Sequence, residues 1–287
     1  MFISGAALRE PHASTLLVAF NVSFAVINMI MLAEFVRRVG LKNAIDPDIT
    51  ATLKKKWELP AAGAAYALGL WIDKIIMWKS DPSKALVVEG VLQTMPSYDA
   101  AMFWAQLSSI PIIAVFFVHV ETGFSAQIHD YHERIQKSAS LRELNQIAED
   151  IKSRVRSNLL QLFISLGIVA SMMIMLSFVL MNQLGLRPSY MSIFRVSVAS
   201  MVFYTSAIFC FNFLLLLDLR RQALLIVFTF LTLNAILTLA ALPLGPDFYG
   251  YGNLSAAAIS LLVGFSLVHK ELSWLHYHAF VTNNSSL

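Results

Sequence analysis

Residues 61–79 read Ala61-Ala-Gly-Ala-Ala-Tyr-Ala-Leu-Gly-Leu-Trp71-Ile-Asp73-Lys74-Ile-Ile-Met-Trp78-Lys79. A helix needs about 20 apolar residues to cross the hydrocarbon of a bilayer, and this stretch nearly supplies them. It also carries Asp73 and Lys74 side by side. A charge near the centre of a spanning helix costs about 2.5–3.5 kcal/mol on insertion scales, so such helices keep charges where a partner or a task holds them. Small residues fill the preceding turns (Ala61, Ala62, Gly63, Ala64, Ala65, Ala67, Gly69) and let neighbouring helices approach closely. The segment reads as a span built for the interior of a helix bundle.

Two uses of the charged pair are open. Lys74 snorkels outward and Asp73 neutralises it, or the pair faces a polar path inside the bundle. Asp73 lies roughly 6 Å from the middle of a 60–79 helix at about 1.5 Å per residue. Successive helix residues point in different directions, so at least one of the two serves a neighbouring helix or a lumen. The expectation is that Asp73 faces the path while Lys74 holds the helix.

The rest of the chain has the same character. Of its 287 residues 57% are hydrophobic and 14% charged, and the mean hydropathy is +0.65. Soluble domains carry about 25% charge, so the chain reads as an all-α, polytopic membrane helix bundle forming a single transmembrane domain over 1–287. Seven spans are expected, at about 15–35, 60–79, 99–120, 159–181, 191–217, 222–243 and 254–269. The N-terminus shows no signal peptide pattern. The net charge of +3 is no nucleic-acid signal. Cys210 is the single cysteine, so no internal disulfide forms.

Lys and Arg orient membrane helices. Fifteen of them fall in the connections 36–58, 121–158 and 218–221 and in the tail; four (Arg9, Lys79, Lys84, Arg187) fall on the other side. The rich side is therefore expected in the cytoplasm, with the N-terminus outside and the C-terminus inside. Residues 121–158 form the one sizeable polar element, a cytoplasmic amphipathic helical connection. Phe124, Ile128, Tyr131 and Ile135 repeat at helical spacing, as do Leu144, Ile147, Ile151 and Val155. Ser140-Leu-Arg-Glu143 reads as a capping box between the two pieces. The element is a connector on the membrane surface or a docking face for a cytoplasmic partner.

Polar residues within the later spans are few. Asn212 and Asn234 are expected to bridge helices by hydrogen bonds. Arg195 opens its span and either snorkels to the outer interface or faces the path, and Asp218 with Arg220 and Arg221 anchors the inner one. Pro111 is expected to kink its helix. The outer loop 244–253 alternates Tyr and Gly; Tyr249 and Tyr251 are belt aromatics or stack on sugar rings at a pore exit. His129, His132 and Glu133 lack a third ligand nearby in sequence, and the His276-Tyr-His278 tail reads as surface. No set of residues combines a nucleophile, its base and oxyanion donors. No catalytic centre, metal site or cofactor is expected.

Several strings together resemble the PelG family, inner-membrane exporters of the Pel exopolysaccharide system. They are Trp71-Ile-Asp-Lys74 with Trp78, Tyr98-Asp99-Ala-Ala-Met-Phe103, Ile110-Pro111, Val120-Glu-Thr-Gly-Phe124, Phe194-Arg195, Asp218-Leu-Arg-Arg221, Asn234 and Phe248-Tyr-Gly-Tyr-Gly252. Their order and spacing carry the resemblance from about residue 15 onward. The resemblance implies a flippase-type exporter of about twelve helices in two pseudo-symmetric halves. It implies passage of a growing, hexosamine-rich polymer across the inner membrane of a Gram-negative bacterium. It also implies work beside a cytoplasmic glycosyltransferase and a cyclic-di-GMP-sensing membrane protein. Members of that family run longer than this chain. Seven spans with an outer N-terminus match a twelve-helix protein without its first five helices, so a C-terminal portion or a naturally short form is expected. The candidate path residues are Asp73, Lys74, Trp71, Asp99, Arg195, Tyr249 and Tyr251. The rival readings are a lipid-linked oligosaccharide flippase, a multi-span acyltransferase or glycosyltransferase, and a scaffold for synthase assembly. Scattered acids disfavour the enzyme.

Overall fold

A computed structural model of the chain describes residues 13–39, 54–80, 86–88, 92–111, 113–114, 141–183 and 190–273. It divides into two compact units, Met1–Trp57 and Glu58–Leu287. The first holds helix α1 (Ala13–Val39), long and apolar enough over Val18–Arg37 to cross a membrane. Ser23, Asn28 and Arg37 find their partners on the helix itself. Ser23 donates to the Ala19 carbonyl and Asn28 to the Phe24 carbonyl, each at 2.8 Å, and Arg37 pairs with Glu34 at 2.8 Å. Internal satisfaction of this kind is what a lipid environment demands.

The second unit contains α2 (Glu58–Ser80), strands β1 (Leu86–Val88) and β2 (Leu92–Thr94), a helix α3 over residues 96–111, then α4 (Leu141–Met175), α5 (Ser177–Gln183), α6 (Met191–Leu216), α7 (Arg220–Ala241) and α8 (Tyr251–Ser273). With α1, six of the described helices are long and apolar enough to cross a membrane. The remaining expected span, 99–120, is helical over 96–111 and again at 113–114, and its residues 112 and 115–120 lie outside the described residues. The architecture is thus an all-α polytopic membrane bundle. The antiparallel strand pair, Leu86 opposite Thr94, is a small departure in the connection between α2 and α3, where β-branched Val87, Val88 and Thr94 favour extended backbone.

Helix α6 is the centre. Buried residues make up 67% of its spanning window, against 22–39% for α2, α4, α7 and α8. It packs on α4, α7 and α8, and α2 packs on α7. Side-chain contacts fix the relative directions. Ser200 donates to Asn253, and Gly264 lies against Cys210 further along, so α6 and α8 are parallel. Ser197 donates to the Met102 sulfur at 2.8 Å, placing the first turns of α3 beside those of α6. Phe163 meets Phe203 edge-on, and Arg195 reaches Ser177, so α4 runs antiparallel to α6. Arg221 reaches Glu58 at 3.2 Å, and Asn234 donates to the Gly69 carbonyl at 3.0 Å, so α2 and α7 are parallel. These directions alternate along the chain from α2 through α3, α4, α6, α7 and α8, as in helices that cross a membrane in turn.

Glycine sets two of the helix separations. A Cβ on Gly69 would stand 2.9 Å from the Phe230 ring of α7. One on Gly252 would stand 2.5 Å from the Thr238 backbone nitrogen, so α8 meets the α7 backbone directly there. The α6–α7 turn places Asp218 at φ 59, in the left-handed region where Asp is tolerated. Its carboxylate accepts Arg220 Nε and Nη2 at 2.7 Å each.

The connection expected at 121–158 differs in the stretch that is described. Residues 141–158 continue without a break into the spanning portion of α4. Ile151 and Val155 are buried, and Ile147 packs against the same core. The stripe runs on through Leu159, Leu162 and Leu166, one helical face turned inward. It closes the core of this chain instead of offering a free docking face. Residues 121–140, which carry the first apolar repeat and the expected Ser140 cap, lie outside the described residues, as do His129, His132, Glu133 and the His276-Tyr-His278 tail.

Candidate functional site

The polar residues of α2 and α3 meet in one seam. Asp73 is 0% exposed, and its neighbour Lys74 is 8% exposed. One carboxyl oxygen of Asp73 accepts the Tyr98 hydroxyl at 2.7 Å. The other faces Lys74 Nζ at 3.5 Å, the outer limit of a hydrogen bond. The Lys74 ammonium turns back instead onto the Leu70 carbonyl, 2.7 Å away. That hold is local, one turn up its own helix, and satisfies a donor that lipid would leave bare.

Asp99 lies one residue beyond Tyr98, and its partners come from both sides. Trp78 Nε1 donates to its two oxygens at 3.0 and 2.9 Å, and the Met95 backbone N–H donates at 2.9 Å. The sequence builds this locally. Pro96 starts α3, where a missing N–H is harmless, and an acid in the first turn reaches back to the backbone before it. Tyr98 and Asp99 therefore leave the same turn and clasp α2 at two heights, Asp73 and Trp78. A carboxyl has about four lone-pair sites. Asp73 thus retains acceptor capacity while fully shielded.

Asn234 and Thr238 extend the polar arrangement. Asn234 is fully buried, donates to the Gly69 carbonyl, and accepts the Thr238 hydroxyl at 3.2 Å. This is the helix-bridging role that its sequence position suggests. Asn212 by contrast donates to the Ile208 carbonyl of its own helix at 3.0 Å.

The other candidates gather at the same end of the bundle without joining the seam. Arg195 is exposed, and its Nε donates to the buried Ser177 hydroxyl at 2.8 Å. Tyr249 is buried, while Tyr251 is 44% exposed with its ring 6.0 Å from that of Phe248. Gly250, at φ 92, is a position where a side chain would press on Val196 and Ser197 of α6. Ser197 in turn holds Met102 of α3, so loop, α6 and α3 form one contiguous end. Trp71 points away, 53% exposed, with its ring edge-on to Trp78 at 6.2 Å. The structure thus unites Asp73, Lys74 and Asp99, keeps Arg195, Tyr249 and Tyr251 at the same end, and sets Trp71 on the outer face. Tyr98, the residue that joins Asp73 to α3, is visible in sequence only within a Tyr-Asp string at the head of a span.

A family model described as "PelG: Putative exopolysaccharide Exporter (EPS-E)" matches residues 1–280. The chain belongs to the PelG family. No curated protein and no solved structure matches it. Membership in PelG carries exopolysaccharide export as the general function, a polysaccharide as the cargo and a membrane as the setting, and it is membership of a transporter family, not of an enzyme class. The six apolar helices make this PelG-family chain a multi-pass membrane protein.

Proposed function

We propose that the chain forms a portion of the route by which a hexosamine-rich, Pel-like polymer crosses the bacterial inner membrane. Asp73 is the group that attracts the polymer's free amines, and Asp99 is a second acid on the same route. The observation that carries this is the seam itself: two carboxyls, one fully buried, clasped between α2, a helix of spanning length, and α3. A buried acid in a spanning helix marks a pathway or a relay more often than a plain structural contact. In the arrangement described, Tyr98 covers Asp73, so the seam is closed. Release of the Tyr98 hydroxyl opens it and turns the carboxyl toward the polymer.

In this reading the seam end faces the periplasm and the Glu58–Arg221 end faces the cytoplasm, with the N-terminus periplasmic and the C-terminus cytoplasmic. The fifteen-to-four bias in basic residues supports it. Arg195, Tyr249 and Tyr251 then line the periplasmic exit. Trp71, on the outer face, meets lipid or a further helix. A cytoplasmic glycosyltransferase supplies the polymer, and a cyclic-di-GMP-sensing membrane protein accompanies it; resemblance to the Pel system supports both partners.

Chromosomal deletion and complementation test the function. Loss of the gene removes polymer from the cell exterior and leaves lipid-linked oligosaccharide pools unchanged. Accumulation of lipid-linked oligosaccharide on the inner leaflet would instead mark the lipid-linked oligosaccharide flippase.

A further inference from the structure

At the end opposite the seam, α4 and α8 both pack on α6. They leave a groove of about 640 Å³. Its lining combines charged and apolar side chains. Glu149, Lys152, Arg156 and His269 stand at the mouth, where the spanning windows Glu149–Met175 and Pro246–Ser273 begin and end. Leu159, Leu160, Phe265 and Val268 line the same groove.

We propose that this groove binds an anionic phospholipid, with its phosphate among Lys152, Arg156 and His269 and an acyl chain along Leu160 and Phe265. The charge balance favours an anion. Glu149 accepts Lys152 Nζ at 2.7 Å along the α4 surface, and Arg156 is the further cation of the lining. Arg156 is exposed there and grips a phosphate through its planar fork. His269 lies flat against Phe265, ring centroids 6.4 Å apart and 14° from parallel, so its edge nitrogens stay available at the mouth. Basic residues above an apolar trough match a lipid, whereas a soluble phosphate would leave the trough bare. The side is also right, since the basic-rich end faces the anionic leaflet surface under the topology proposed above. The groove geometry itself does not depend on that topology.

Full-length protein is purified, placed in nanodiscs of phosphatidylcholine with graded phosphatidylglycerol, and the lipid retained on it is read by native mass spectrometry. Phosphatidylglycerol is retained in preference to phosphatidylcholine. Arg156→Ala and Lys152→Ala each weaken retention about five-fold, from about 1 kcal/mol per basic residue at an anionic surface converted at about 1.4 kcal/mol per tenfold. Lys270→Ala removes an exposed cation beside the groove but outside its lining, and leaves retention unchanged. Glycerol phosphate without acyl chains fails to displace the lipid. Equal retention of the two lipids overturns the proposal, as does an equal loss in Lys270→Ala. Displacement by glycerol phosphate, or a groove that takes up no phosphatidylglycerol because a chain segment or a protein fills it, also overturns it.

Discussion

Tyr98 donates its hydroxyl to Asp73 at 2.7 Å across the gap between α3 and α2, and both residues are 0% exposed. The bond is the contact through which the first turn of one helix shields the buried acid of the other. Removing the hydroxyl by Tyr98→Phe leaves a buried acceptor short of its partner and costs about 1–3 kcal/mol. A double-mutant cycle with Asp73→Ala, which removes the acceptor, read by unfolding in detergent, gives a coupling of about 0.6–1.7 kcal/mol, the span found for hydrogen bonds between transmembrane helices. Strict additivity of the two substitutions would contradict the clasp.

Gly252 and Gly63 give a paired test of helix approach. A methyl on Gly252 meets the α7 backbone at 2.5 Å, and one on Gly63 meets nothing within 4 Å. Backbone cannot move aside as a side chain does. Gly252→Ala therefore destabilises by about 1–3 kcal/mol, the usual cost of overpacking. Gly63→Ala is near neutral. Thermal unfolding of the two variants checks both values.

Asn234→Leu removes the bond to the Gly69 carbonyl and the acceptor of Thr238. The loss is about 1 kcal/mol. Export falls only in proportion to the protein that remains, because Asn234 ties helices together and holds no cargo. A specific loss of export at normal abundance would move Asn234 into the pathway.

Cysteine labelling in spheroplasts, with single cysteines placed after Lys84 and after Lys137 in a Cys210→Ser background, gives opposite sidedness, the first periplasmic and the second cytoplasmic. The parallel run of α2 and α7 already requires an odd number of crossings between them. Labelling on the same side would break that alternation.

Much of this is legible in the chain itself. Hydropathy marks the spans, because an apolar run of membrane length has few other uses. Asp73 and Lys74 stand out, because charge in such a run demands a partner. Asn234 as a helix bridge is readable for the same reason. Tyr98 is harder to see. It lies 25 residues from Asp73, beyond a connection whose geometry no periodicity encodes, and a phenol in an apolar segment looks like one more aromatic. The apolar stripe of Ile147, Ile151 and Val155 is visible, but its destination is not. Periodicity shows that a helix face is apolar; only the neighbours show that the core of this chain already covers it. Trp71 sits beside Asp73 in sequence, yet positions two apart on a helix face away from one another.

Lys74 separates structure from transport. Its pairing with Asp73 is loose at 3.5 Å, while its hold on the Leu70 carbonyl is firm at 2.7 Å. Lys74→Met strips the cation from beside a buried acid. Breaking a buried pair by removing one partner is strongly destabilising. Protein abundance on a membrane immunoblot therefore falls, and exported polymer falls with it in equal proportion. Normal abundance with lost export would assign Lys74 to the route.

The most direct test is Asp73→Asn in the native host, with exported polymer measured per unit of membrane-inserted protein. The substitution keeps the shape and the Tyr98 bond while removing the charge. The account predicts that export per protein drops sharply while abundance stays near that of the unaltered chain. Normal export per protein, or a fall in abundance that accounts for the whole loss, would make the Asp73 seam a structural clasp and place the polymer route elsewhere.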